Sequence, residues 1–214
     1  MKKKITLFVF ALLAICTLKV NAQWSAGTDV VSSYIWRGSK AGAFSIQPTV
    51  KYTTGIFSIG AWGSGDLITG APREADLFAT LSFKSGLSLG LTDYHYNNDT
   101  LASLFGSDQH AFEANLGYTA GKFSLSGNYI FNSASGAAGN DKYFEVGYQF
   151  TSVKLFAGAG DGWYTNDGSF QVCNIGISTT KTLKITDSFS IPFTGSVIVN
   201  PNKEQIFYVV AMSF

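Results

Sequence analysis

Three features of the sequence predict an all-β chain folded as a single transmembrane antiparallel β-barrel of about 12 strands. Apolar residues recur at every second position through successive segments. The connections between these segments are short and long by turns. Aromatic residues gather at both ends of the segments.

The period of two is explicit in several stretches. Leu77, Ala79, Leu81 and Phe83 alternate with Asp76, Phe78, Thr80 and Ser82. Phe112, Ala114, Leu116 and Tyr118 alternate with Glu113, Asn115, Gly117 and Thr119. Phe144, Val146, Tyr148 and Phe150 alternate with Glu145, Gly147 and Gln149. In a strand such spacing puts apolar groups on one face and small or polar groups on the other. The segments fall near 24–37, 44–53, 56–63, 73–84, 87–96, 109–119, 122–132, 142–150, 153–160, 169–180, 188–199 and 204–214. Most are about nine to twelve residues long, which is what a tilted strand needs to cross a bilayer. No window holds the spacing of three and four that marks a helix. The stretch 170–180 has a muddled face, which leaves ten strands open beside twelve.

Thr54 with Gly55, Ser85 with Gly86, Ala120 with Gly121 and Thr151 with Ser152 make the short connections, with a longer one at 185–187. "GSKAGA", "GSGDLITGAP", "NNDTLASLFGSD", "SASGAAGND" and "DGWYTNDG" make the long ones. One rim of tight turns and one of long loops is the pattern of outer-membrane barrels. Tyr52, Phe57, Phe83, Tyr118, Phe123, Phe150, Phe189 and Phe214 adjoin the short rim. Tyr34, Trp36, Trp62, Tyr94, Tyr96, Tyr129, Phe131 and Tyr143 adjoin the long one. Two aromatic belts suit two membrane–water interfaces. A soluble sandwich would use shorter strands and collect its aromatics in the core.

Residues 1–22 read as a secretory leader: Lys2, Lys3 and Lys4, an apolar run from 5 to 18, then Val20, Asn21 and Ala22 before Gln23. A lipid anchor on Cys16 fits poorly, because Ile15 is bulky for that processing. The barrel domain is then 23–214. Four of the 15 Lys and Arg residues lie in the leader, leaving 11 against 14 Asp and Glu, a net charge of −3. That balance predicts no nucleic-acid partner. Cys173 alone remains beyond the leader, so no internal disulfide forms.

The chain finishes on "EQIFYVVAMSF". No backbone group can stay unpaired in hydrocarbon, so the last strand is expected to pair with the first and close the cylinder. Tyr208, Val210, Met212 and Phe214 also resemble the C-terminal signal that the barrel-assembly machinery reads in bacterial outer-membrane proteins. "DVVSSYIWRGSKAG", over 29–42, resembles the opening of the TorF-type porin family through Ser33, Tyr34, Trp36, Arg37 and Gly38. "GIFSIGAWGS", over 55–64, resembles a glycine- and tryptophan-bearing strand of that family. The resemblance covers about forty residues. It implies an outer-membrane barrel and a pore, and it assigns no substrate and no catalytic residue.

Parity places Asp29, Ser33, Arg37, Glu74, Asp76, Thr80, Glu113, Asn115, Asn128, Glu145, Gln149 and Gln205 inside, as candidate pore-lining residues. An Arg or Lys against lipid at the midplane costs ~2–4 kcal/mol, and acids cost less. These groups either line an open, slightly acidic pore or pair with one another across a narrow lumen. Eight strands leave an interior filled by side chains and sixteen leave a channel, so twelve permits both. His95 and His110, with Ser103, Ser107 or Asp108, invite a lipase triad at the rim. No catalytic motif surrounds them, and they read as solvated loop histidines. "GAGDGW" at 158–163 lacks the helix a phosphate loop needs. Asp161 and Asp167 offer calcium oxygens without full ligand spacing. Asn98, Asp99 and Thr100 spell a glycosylation sequon without meaning in a bacterial barrel. Cys173 shares a parity with Ile175 and Ile177 and reads as a packing residue.

The expected function is passive diffusion of small polar solutes or ions through a bacterial outer membrane, without enzyme activity, cofactor or metal. Its expected surroundings are outer-membrane lipids and lipopolysaccharide, with the assembly machinery as a partner during biogenesis. Two alternatives stay open. One is a closed barrel whose loops adhere or bind ligand. The other is a lipid-modifying hydrolase at the rim.

Overall fold

Glycines in the left-handed region set the tight rim. At Gly86 (φ +90°) a Cβ would strike the carbonyl oxygen of Thr119 on the adjoining strand. Only glycine combines that dihedral with that approach. Turns of this kind join β4 (Ser45–Thr54) to β5 (Phe57–Asp66), β6 (Arg73–Ser82) to β7 (Leu87–Asn97), and β8 (His110–Ala120) to β9 (Phe123–Ile130). β10 (Asp141–Gln149), β11 (Lys154–Gly160), β12 (Gln171–Lys184), β13 (Ser190–Asn200) and β14 (Gln205–Ser213) follow in antiparallel order. β1 (Gln23–Val31) precedes them, and β2 (Tyr34–Trp36) and β3 (Ser39–Gly42) lie between β1 and β4. This computed structural model describes residues 23–68, 73–97, 109–134 and 137–214. The leader read over 1–22, the sequon, Ser103, Ser107 and Asp108 lie outside the described residues.

β1 and β4 to β14 form a closed barrel of twelve antiparallel strands. The alternation sorts as the period of two predicts. Leu77, Leu91, Leu116, Leu125, Phe144, Val146, Ile175 and Ile177 project outward and are exposed. Glu74, Asp76, Glu113 and Asn174, of the opposite parity, are buried in the interior. The aromatics of the short rim, from Phe57 to Phe214, are on the outside.

The long rim departs from the expected belt. Tyr94 and Tyr143 are buried in an interior cluster, and Trp36 and Tyr96 pack against it. Trp62 turns inward to meet Tyr34, with ring centroids 5.5 Å apart. Only Tyr129 and Phe131 of that set remain exposed on the outer face. The cause lies at the first strand, which ends at Val31 rather than running to 37. The chain then bends inward, and β2–β3 makes a separate hairpin inside the cylinder. Aromatics that would have met lipid pack around it instead.

β12 holds a second departure. Gly158 pairs with Asn174 but Ala159 pairs with Val172, so Cys173 is an extra residue in the ladder. The bulge turns Cys173 into the interior cluster, fully buried, and off the face of Ile175 and Ile177. It also accounts for the muddled face of 170–180 and settles the count at twelve.

The seam is short. β1 meets β14 only through Asp29 with Ser213, Val30 with Met212 and Val31 with Ala211. Thr28 and Phe214 exchange backbone bonds of 3.1 and 2.9 Å, and the Ser32 N–H donates to Val210. Residues 205–209 pair with β13 but not with β1, because the chain has already left the wall. Deleting Phe214 removes both bonds to Thr28, whereas Phe214→Leu keeps them. The deletion should lower the urea midpoint of micelle-refolded protein well below that of Phe214→Leu. Equal losses would assign the effect to the ring instead.

Candidate functional site

Arg37 and Gly38 form the two-residue turn of the inner hairpin, between Trp36 and its partner Ser39. Both have positive φ, 48° and 81°, as a primed hairpin turn requires. Glycine suits the second position, and a Cβ there would fall on the carbonyl oxygen of Cys173. A left-handed arginine costs ~1–2 kcal/mol. Its contacts outweigh that cost.

The Arg37 guanidinium crosses the lumen to Glu113 on β8. Nη1 donates to Oε2 at 2.5 Å and Nη2 to Oε1 at 2.8 Å. The Glu113 side chain has no exposed surface. Its oxygens also accept from the Tyr94 hydroxyl at 2.9 Å, the Asn115 amide at 2.6 Å and the Tyr164 hydroxyl at 3.3 Å. Arg37 lies over the rings of Trp36 and Tyr143, each 4.7 Å away, and of Tyr164 at 5.3 Å. A bidentate pair with three further donors and aromatic faces satisfies two charges removed from water.

Other contacts fix the hairpin around the wall. The buried Asn200 amide donates to the Gly38 carbonyl at 3.0 Å, and Lys203 Nζ donates to Ser39 Oγ at 2.9 Å. Tyr34 packs against Trp62 with the ring planes tilted by 60°, and reaches Glu74 at 3.5 Å. Asp66 Oδ2 accepts from the Ala43 N–H at 2.6 Å where the chain returns to the wall. A short 3-10 turn, Gly162–Tyr164, adds Trp163 and Tyr164 to the same cluster. The hairpin thus touches β5, β6, β8, β10, β12 and β13, and occupies the long-rim half of the lumen. Below it the inner face is rich in hydroxyls and amides. Thr92 donates to Asn115 at 2.9 Å, Asn115 to Asn128 at 3.0 Å, and the Thr53 and Ser58 hydroxyls meet at 3.0 Å.

The residues expected to line a pore fall in different settings. Glu113 and Asn115 join the Arg37 network, with Asn128 bonded to Asn115. Glu74 and Asp76 lie buried on β6 beneath Tyr34 and Tyr96. Glu145 accepts from the Tyr143 hydroxyl at 2.6 Å. Asp29 and Thr80 occupy inner parity on β1 and β6. Gln149 bonds the Phe150 carbonyl at the short rim, and Gln205 is exposed where β14 begins. Two placements are corrected. Ser33 and Arg37 stand on the inturned segment and not on a wall strand, with the Ser33 hydroxyl donating to the Gly42 carbonyl at 3.2 Å.

Tyr94, Tyr143 and Tyr164 were not legible as neighbours of the Arg37–Glu113 pair, nor Asn200 and Lys203 as partners of Gly38 and Ser39. The one available signal was the Arg–Gly pair itself, which suits a hairpin turn better than the middle of a strand. Asp161 pairs with Lys142 at 3.1 Å, while Asp167 accepts from Ser169 and Gln171, so the two do not converge on a cation. The hydroxyl and backbone N–H of Ser169 hold the Asp167 carboxyl below its ordinary range. His110 Nδ1 meets both oxygens of Asp93, at 2.9 and 3.0 Å, on the outward parity of β7 and β8. His95 stacks on His110 with centroids 4.6 Å apart and is buried rather than solvated.

No protein-family model matches this chain, and no curated protein matches it.

Arg37→Met leaves the Glu113 carboxylate buried without its cation, a change that costs ~3–5 kcal/mol. Amide exchange across 34–42 should accelerate by roughly a hundredfold or more, at tenfold per 1.4 kcal/mol. Arg37→Met/Glu113→Leu should recover much of that protection. A double variant as unprotected as Arg37→Met would show that the pair does not hold the hairpin.

Proposed function

We propose that the protein is an outer-membrane channel for small polar solutes, closed at its long-loop mouth by the inner hairpin. The observation that carries this reading is Arg37 reaching across the lumen to Glu113. The contact shuts the cylinder with one hairpin held by polar bonds and attached at both ends to the wall. Such an element is suited to swing aside. Below it a polar inner face offers solutes water-like partners.

The membrane setting draws support from the outer face. The groove of about 500 Å³ bounded by Leu116, Leu125, Phe144, Val146 and Val172 is apolar and suits acyl chains. Exposed Leu77, Leu91, Ile175 and Ile177 extend the apolar face to other strands, and contiguous exposed apolar faces mark membrane or protein contact. The leader read over 1–22, and the resemblance of 29–42 and 55–64 to TorF-type porins, support export to the outer membrane. Lipopolysaccharide and phospholipid would surround the barrel there, and the assembly machinery would act on it during biogenesis.

Planar bilayers provide the test. Wild-type protein should conduct rarely. Replacing 34–42 by a glycine linker should raise the mean current at least tenfold, and Arg37→Met should raise it less. Persistent absence of current in all three would favour a permanently closed barrel that binds or adheres through its loops.

A second reading, lipid hydrolysis at the outer rim, draws support from Asp93 and His110, which stand as an oriented pair on the outward face. In the channel reading, phospholipid hydrolysis by purified protein stays at the vesicle background, and His110→Ala leaves it there. Hydrolysis above background that His110→Ala abolishes would establish the enzyme.

A further inference from the structure

Beneath the hairpin tip lies a cavity of about 210 Å³, bounded by Arg37 and Gly38 on one side and by β10 to β13 on the other. At ~30 Å³ per water it has room for about seven waters, the scale of a mid-sized amino acid. Three side chains give it an apolar part: Ile35, Phe156 and Ile198. The remaining lining is polar and charged, and its bonding is incomplete in a definite pattern.

Arg37 contributes little net charge, because Glu113 takes its guanidinium in a bidentate pair. Glu145 and Lys154 are then the charges that face the space. Glu145 uses Oε2 to accept from the Tyr143 hydroxyl at 2.6 Å and from Asn174 Nδ2 at 3.1 Å. Its Oε1 accepts nothing among the described residues. Asn174 is 4% exposed, and its Oδ1 is buried without a hydrogen-bond partner among the described residues. The amide cannot turn over to relieve this. Its Nδ2 also meets the Tyr143 hydroxyl at 2.8 Å, and reversal would set oxygen against the Glu145 carboxylate. Lys154 Nζ makes no ion pair among the described residues and lies 5.8 Å from the centroid of Phe156.

Two acceptors therefore wait on the side of β10 and β12, and a cation waits on β11. A buried acceptor left without a donor is unfavourable, so an incoming donor is favoured there. A plain cation would leave Lys154 without a counter-ion, and a plain anion would leave Glu145 without one. A neutral sugar would desolvate both charges without pairing either.

We propose that this cavity binds a small zwitterion of the α-amino-acid class. The ammonium donates to Glu145 Oε1 and Asn174 Oδ1, the carboxylate accepts from Lys154, and an apolar side chain rests on Phe156 and Ile198. One wall of the site is the hairpin, so the occupant sits against the closing element itself. The proposal deepens the channel reading by naming a solute class, yet it stands on the cavity alone.

The test is titration calorimetry of the full barrel in detergent with L-leucine, isopentylamine, 4-methylpentanoate and glucose. L-leucine should bind at least tenfold more tightly than each of the other three. Lys154→Met should reduce L-leucine to the level of isopentylamine while leaving isopentylamine unchanged. Glu145→Gln should reduce it to the level of 4-methylpentanoate and leave that ligand unchanged. Each variant thus carries its own folding control. No heat from L-leucine, equal affinity for the single-charge analogues, or tighter binding of glucose would overturn the site. The titration needs no current, so a null result in a barrel that conducts sinks the site and spares the channel.

Discussion

A carboxylate with no exposed surface must find a cation or take up a proton, and Glu113 finds Arg37. Both charges have left water, and each is worth keeping only while the other stays. That mutual dependence sets the position of the hairpin tip to within a hydrogen bond. The aromatic rings around it follow, because a guanidinium away from water is best met by π faces. The Cys173 bulge follows too, since the backbone there comes close enough to Gly38 to exclude a side chain.

The hairpin and the short seam are two consequences of one chain path. Leaving the wall after Val31, the backbone gives up pairing with 205–209 and gains the interior contacts of 34–42. Closure then relies on 28–32 against 210–214, with Phe214 supplying the last bonds. The stretch from Ser33 to Gly38 is the one that turns inward. Its Tyr, Trp, Arg and Gly have separate tasks: to pack against Trp62, to cover the guanidinium, to pair with Glu113 and to make the turn.

The candidate site was legible only in part. Inner parity identified Glu113, Asn115, Glu145 and Asp76, because a period of two survives wherever the strand is regular. It put Arg37 inside, where it lies, but on a wall strand that the chain has already left, and it failed at Cys173, where the bulge interrupts the ladder. Trp62 shows the same limit from the other side. An aromatic near a long loop suggested a place in the interfacial belt, but Trp62 shares the parity of buried Ser64 and turns inward to Tyr34. The loop turn carrying Trp163 and Tyr164 had no periodicity to read.

The sequence by itself determined the class of fold, the positions of the regular strands and the two unlike rims, while the count waited on the bulge in β12 and the end of the first strand on the inturned hairpin. Alternation and turn glycines are local properties, and each strand declares its own face without reference to the others. What fills the cylinder was decided only by tertiary structure. Arg37 and Glu113 stand 76 residues apart, Asn200 and Gly38 162 apart, and no local pattern relates them. Their meeting depends on the curvature of a closed wall and on the point where the first strand abandons it.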